Sequence, residues 1–369
     1  MTAPLRVAVV MPPVVTGDAR VAVASWTTLT RTLAEVHAVS DDVEFHVFGR
    51  HGAGPEAWAD HGDLYLFTGS DIALAGAVAS STPDVVHVHG LFANRLLREL
   101  GRELPRRVPI VLKHHGEPVP SRRTRLAHRV VRRGVDGYLF TGANHGQAQP
   151  FIDAGVISRK ARLFEQLEAG SLLPAPAADP AAEPPVDLAG SPSILWVGRL
   201  IEGKAPLVAL DAFAAAVDRL PAAHLHLLAT DRTMEAEVRA RIAALGPHGE
   251  RVHLHDPVPH AEMPAWYGAA DVYLSTSVRE GSNYSLIEAI PFGCRPAVTA
   301  IPPHRAIVGD AGCLFPVGDA QAAAGALAAA AAQSRDEVVA HSRQRLSWPA
   351  VATSLVATWR FLRSQPSSI

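Results

Sequence analysis

Residues 174–192 hold six prolines in 19 positions and almost no large apolar side chain. Proline removes an amide hydrogen and fixes φ, so neither a helix nor an inner strand runs through this stretch. What flanks it is regular. On the N-terminal side, short apolar, β-rich runs at 5–11, 43–48, 64–67, 85–89, 110–114 and 138–140 alternate with helical spacing, as at 21–39, 93–104 and 145–154. After residue 192 the alternation restarts, with strand-like runs at 194–197, 225–229, 252–255, 272–275, 297–299 and 313–315. Strand and helix in alternation imply a parallel sheet covered on both faces, so the reading is α/β: two Rossmann-like, doubly wound parallel-sheet domains. The expected boundaries are 1–173 for the first domain, 174–192 for a linker and 193–347 for the second. The chain's 369 residues suffice for two cores.

Bulk properties exclude several classes. A formal charge of −2 and a pI near 6.8 give no general attraction to polyanions, so nucleic acid is not an expected partner. Cys294 and Cys313 are the only cysteines, which excludes a disulfide framework and fits a reducing cytoplasm. The opening stretch 1–15 reads as a first strand, since Pro12 and Pro13 interrupt its apolar run and no small-residue cleavage site follows. The Ala-rich run 320–333 is a strong helix former too short to span a bilayer. The richness in Ala and Arg is like that of high-GC bacterial proteins. No GxGxxG follows a strand, which disfavours a nicotinamide dehydrogenase.

The chemistry concentrates in the second half. Arg279-Glu280-Gly281-Ser282-Asn283-Tyr284-Ser285-Leu286-Ile287-Glu288-Ala289 follows a strand-like run and opens a helix, so two carboxylates eight positions apart flank a small, polar turn. The first amides of such a helix lack partners and carry positive partial charge, which suits an anion. A carboxylate further along accepts well from paired ribose hydroxyls. Upstream, Ile194-Leu195-Trp196-Val197-Gly198-Arg199-Leu200 is a second strand ending in Gly and Arg, with Lys204 just before a helical run over 207–220. Close backbone approach, a guanidinium fork and a point charge are what a diphosphate requires. Taken singly, each of these residues has an ordinary alternative as a solvated charge on a loop or helix surface.

Taken together, Gly198-Arg199-Leu200 with Lys204, Glu280 and Glu288 in an E-x7-E frame, and Phe292-Gly293-Cys294-Arg295-Pro296-Ala297-Val298 resemble the retaining, nucleoside diphosphate sugar-dependent glycosyltransferases of GT-B fold (glycosyltransferase family 4-like). The resemblance covers 193–319. It implies two domains facing across a cleft, with a terminal helix near 348–365 returning to the first. By the same resemblance Arg199 and Lys204 neutralise the donor diphosphate, Glu280 lies against the donor sugar, Glu288 binds the ribose, and the amides of Gly281, Ser282, Asn283, Tyr284, Ser285 and Leu286 hold sugar and phosphate oxygens. Where relatives often have an aromatic residue, Gly and Pro inside the frame, this chain has Ser282, Asn283 and Ser285, so donor identity stays open.

In the first domain, Ile110-Val111-Leu112-Lys113-His114-His115-Gly116-Glu117 is a strand ending in two histidines. The resemblance gives His115 a contact with the donor sugar's hydroxymethyl group, with His114 as the alternative. Alternation sends the two side chains to opposite faces. Gly17, in the loop after the first strand, resembles the glycine loop that approaches the donor phosphate. Val258, in Asp256-Pro257-Val258-Pro259, resembles the position whose backbone reads the base, with Asp256 where Gly is common; uridine is favoured as a property of the family. His87 and His89 read as packed strand residues, with a place near the acceptor as the alternative for His89. Four histidines on neighbouring strands lack a Cys or acidic ligand at helix spacing and HExxH is absent, so no metal is expected, and no cofactor beyond the nucleotide-sugar substrate.

From Arg95 to Arg133 the sequence holds twelve Lys or Arg against three Asp or Glu. Few large apolar side chains interleave, so the basic stretch 122–133 reads first as a solvated helix face, with weak contact to an anionic membrane surface as the alternative. The expected reaction is glycosyl transfer to an acceptor hydroxyl of a small-molecule or lipid-linked acceptor. Two rivals remain: a sugar-nucleotide epimerase or phosphorylase on the same fold, and a nucleotide-sugar-binding module without catalysis.

Overall fold

The computed structural model describes residues 4–14, 18–25, 27–52, 54–60, 62–170 and 186–365. The chain forms two compact units, one of residues 1–167 and 348–369, the other of residues 168–347.

The first unit is built on an eight-stranded sheet: β1 (Leu5–Val10), β2 (Val43–Arg50), β3 (Glu56–Asp60), β4 (Asp63–Thr68), β5 (Val85–His89), β6 (Ile110–Lys113), β7 (Gly137–Phe140) and β8 (Arg162–Glu165), in the order β3-β4-β2-β1-β5-β6-β7-β8. Strand β1 shows why an unbroken apolar run predicts burial on both faces. Its Val7 and Val9 join one cluster with Phe45, Val111 and Trp359, while Ala8 and Val10 join another with Phe48, Val88 and Leu112. The helix Trp348–Ser364 supplies Ala352, Leu355, Val356, Trp359 and Leu362 to the first of these clusters, at the spacing of one helical face.

The sheet is not wholly parallel, because β3 pairs antiparallel with β4 at the edge. The sequence gives no apolar run over Glu56–Asp60. The strand is held instead by Trp58, whose ring stacks on Tyr65 and Phe67 at centroid distances of 5.1 and 5.6 Å. The helical spacing over 21–39 is divided between the helices Ala19–Ser25 and Thr27–Val39. The run expected over 145–154 shortens to Gln149–Asp153 after a single 3-10 turn, Ala143–His145. Gly146 has φ +85° there, and Pro150 fits only the first turn of a helix.

The second unit has a six-stranded, all-parallel sheet: β9 (Ser193–Gly198), β10 (His224–Ala229), β11 (Val252–His255), β12 (Val272–Ser275), β13 (Arg295–Thr299) and β14 (Cys313–Phe315), in the order β11-β10-β9-β12-β13-β14. The end of the proline-rich stretch packs into this unit. Ser191 N donates to Ala222 O at 2.8 Å, and His226 Nε2 donates to Ala189 O at 2.9 Å. Residues 171–185 lie outside the described residues.

From β9 the chain winds outward through β10 and β11, then crosses back to place β12 on the other side of β9. Loops leaving β9 and β12 therefore diverge, and open α/β sheets bind ligands in the crevice such a reversal leaves at the strands' C-terminal ends. In the first sheet the reversal lies between β1 and β5. Among the described residues no helix is long and apolar enough to cross a membrane.

Candidate functional site

At the reversal in the second sheet, the loops after β9 and β12 clamp each other. The chain leaves β9 through Gly198 and the exposed Arg199, makes one 3-10 turn (Glu202–Lys204) and passes Ala205 at φ +48° into the helix Pro206–Ala216. Thr276, just past β12, donates to the Lys204 and Ala205 carbonyls at 2.9 Å each and accepts from Trp196 Nε1 at 3.2 Å. Val278 N donates to Gly203 O at 3.0 Å. This clamp brings two residues 76 positions apart into direct contact: Lys204 Nζ pairs with Glu280 Oε1, which also accepts from Ser277 Oγ at 2.6 Å. Both side chains are largely but not wholly covered, at 18% and 11% exposure. Partial burial strengthens the pair.

The turn between the carboxylates is shaped by Asn283. Its φ of +71° is a left-handed conformation that most L-residues resist and Asn tolerates. The side chain is buried, and every polar atom on it is used. Oδ1 accepts from Leu286 N at 3.3 Å and Ser285 Oγ at 3.0 Å, capping the helix Tyr284–Ala289, while Nδ2 donates to Ser275 Oγ at 3.2 Å and His304 Nε2 at 2.8 Å. The Leu286 amide, expected from sequence among the donors for ligand oxygens, is thus spent on the cap, and the Leu286 side chain is fully buried. Gly281, Ser282 and Ser285 are half-buried and Tyr284 is exposed.

His304 anchors this turn from below. Its Nδ1 donates to Thr299 O at 2.9 Å, so Nε2 is the acceptor that Asn283 requires, and Thr299 Oγ1 donates in turn to Ser277 O at 2.6 Å. Burial is the main force holding the His304 imidazole neutral, pushing its pKa down to about 4; the nearby Glu280 charge opposes the shift. Because the unfolded state binds this proton more readily, the stability due to neutral His304 is full above about 6.5 and is lost as pH falls toward 4.

Glu288 lies on the helix Tyr284–Ala289 and is 6% exposed. Its Oε2 accepts from Tyr267 OH at 3.2 Å, and Oε1 lies 3.0 Å from Nε2 of the largely exposed His260. Burial first, then the Glu288 charge, pushes the Tyr267 phenol well above its ordinary range, so it stays a donor to Glu288. Val258, two residues before His260, is half-buried.

The residues expected from the first half belong to the other unit. His115 is exposed just past β6; its Nε2 lies 3.0 Å from His89 Nδ1, and the two rings stack at 5.1 Å. His114 is buried, stacked on Phe140 at 4.8 Å with Nε2 donating to Glu117 O at 3.2 Å. Gly17 lies outside the described residues. Among the described residues no group of His, Cys, Asp and Glu is arranged to hold a metal ion.

Sequence reasoning missed Ser277, His260 and His304. Only the Asn283 cap left a signal, an Asn directly before a helical run.

Residues 191–333, which contain Arg199, Lys204, Glu280 and Glu288, match the family model described as Glycosyl transferases group 1. This segment is a group 1 glycosyl transferase domain. No curated protein matches the sequence. Solved structures resemble the whole chain. Sucrose-phosphate synthase from Thermosynechococcus elongatus is 16% identical with a TM-score of 0.68, covering 97% of this chain and 99% of its own. A glycosyltransferase from Rickettsia africae ESF-5 is 12% identical with a TM-score of 0.69, covering 99% and 100%. The trehalose-6-phosphate structure from E. coli bound with UDP-2-fluoro glucose is 13% identical with a TM-score of 0.64, covering 98% and 99%. At such identities these likenesses show the fold, GT-B, of which the group 1 domain is one of two Rossmann-like parts.

Proposed function

We propose that this protein transfers a glycosyl unit from a nucleoside diphosphate sugar to an acceptor hydroxyl with retention of anomeric configuration. The observation that carries the reading is the Lys204–Glu280 pair at the sheet reversal of the group 1 domain. Lys204 and the exposed Arg199 receive the diphosphate, Glu280 the sugar, Glu288 the ribose hydroxyls, and the backbone near Val258 the base. Amides of residues 281–285 add dipoles toward the diphosphate. The bond from the anomeric carbon to the diphosphate breaks with its electron pair on the leaving group. The acceptor oxygen bonds to that carbon, and its proton passes to the departing diphosphate.

Lys204 matters most as the bond breaks, because charge then accumulates on the bridging oxygen; interactions that strengthen in the transition state are those that accelerate the reaction. Glu280, held by Lys204 and Ser277, faces the positive charge that grows on the sugar ring. Neutralisation comes from the chain's own cations and amides, without a resident cofactor. Acceptor choice is assigned to the first unit, which carries the exposed His115. UDP is the favoured carrier, supported by the UDP-2-fluoro glucose in the similar E. coli structure. A phosphorylated sugar is the first acceptor to try, since one similar Burkholderia xenovorans synthase was solved in complex with glucose-6-phosphate.

The test is nucleoside diphosphate release with donor and acceptor panels, followed by NMR of the product's anomeric proton. Release requiring both substrates, with the donor's anomeric configuration kept, is the expected result. Conversion of donor without acceptor would favour an epimerase, and donor binding without release under every acceptor a binding module.

A further inference from the structure

The helix Arg122–Val131 in the first unit presents a face that the glycosyl transfer reading does not use. Its inner side is fixed: His128 is fully buried with Nδ1 2.7 Å from Asn94 Oδ1, and Val131 is buried beside it. Ser121 caps the start, accepting from Thr124 N at 3.4 Å. On the opposite side Arg122, Arg123, Leu126, Arg129 and Val130 are exposed, followed by Arg133. The spacing 122, 126, 129, 130, 133 is one helical face. Leu126 is 62% exposed and Val130 69%, and Val119 just before the helix is 38% exposed. No Asp or Glu occurs between Glu117 and Asp136. Among the described residues Arg122, Arg123, Arg125 and Arg133 make no ion pair, whereas Arg129 donates to Gly155 O at 3.2 Å.

We propose that this face docks the protein reversibly on an anionic bilayer surface. The sequence suggested a solvated basic face because few apolar residues interleave with the arginines; the structure shows that two of those few, Leu126 and Val130, stand one turn apart at its centre. Exposed aliphatic side chains ringed by guanidinium groups match the boundary between acyl chains and headgroups, where arginine stems reach up to phosphates while the aliphatic groups sink. A nucleic acid would satisfy the cations and leave Leu126 and Val130 in water. Two apolar side chains give shallow, reversible contact that needs anionic lipid.

The experiment is co-sedimentation of the full chain with vesicles of phosphatidylcholine alone or with one part in three phosphatidylglycerol, at low and high salt. Binding to the anionic vesicles only, weakened by salt, is expected. Replacing Arg122, Arg123 and Arg133 together by Gln should weaken it roughly 100-fold, and Leu126→Ser with Val130→Ser about tenfold. Neither set should alter melting temperature or turnover in solution. Equal partition into neutral and anionic vesicles, no binding to either, or anionic binding that both sets leave unchanged would overturn the proposal. So would tighter binding to a duplex oligonucleotide than to the anionic vesicles.

Discussion

Lys204→Met will lower kcat for glycosyl transfer by about 100- to 1,000-fold, the usual loss when one preorganised electrostatic contact to a leaving group is removed. Glu280→Gln will cost a similar factor, because the two side chains meet directly and Glu280 is oriented by Lys204 and Ser277. Groups that act as a unit do not give additive losses, so the double variant should be little worse than the poorer single one. Both variants should stay folded. The pair is partly exposed at the end of the sheet, and the clamp through Thr276 and Val278 does not pass through either side chain. Steady-state kinetics with a melting curve for each variant separates loss of chemistry from loss of fold. Near-normal turnover in either single variant would remove the assignment.

Asn283→Ala will destabilise the second unit by about 3–5 kcal/mol, combining about 1 kcal/mol for alanine in the left-handed region with the cost of unpaired buried polar groups. Left behind are the Leu286 amide and the His304 Nε2. Asn283→Gly keeps the backbone conformation and loses the same bonds, so it should be the milder change by about 1 kcal/mol. Asn283→Asp separates His304 from simple packing. An Asp carboxylate beside Nε2 favours the charged imidazole, so the stability that the wild-type protein loses through His304 between about pH 6.5 and 4 should shrink. Denaturant titrations at the two ends of that range measure all three. A steeper acid loss in Asn283→Asp than in wild type would contradict the network as drawn.

The architecture was legible because buried parallel strands read as short apolar runs, as β9 and β12 do. Strand β3 was hidden because an edge strand held by one aromatic stack has no continuous apolar pattern. Lys204, Glu280 and Glu288 were visible as charged residues at strand-end and helix positions. That Lys204 and Glu280 touch was not, because the contact depends on the sheet order placing β12 beside β9. The unusual turn residues were visible as a departure and not as a device: Asn283 combines the left-handed backbone with a helix cap, and its amide partner His304 comes from a different element. Nothing local in Pro302-Pro303-His304 marks that histidine.

Calorimetric titration of UDP into the wild-type chain and into Lys204→Met tests the central claim most directly. One site per chain is expected, weakened at least about tenfold by removal of the cation. Absence of any nucleoside diphosphate binding by the wild-type chain, or equal affinity in the two proteins, would contradict it.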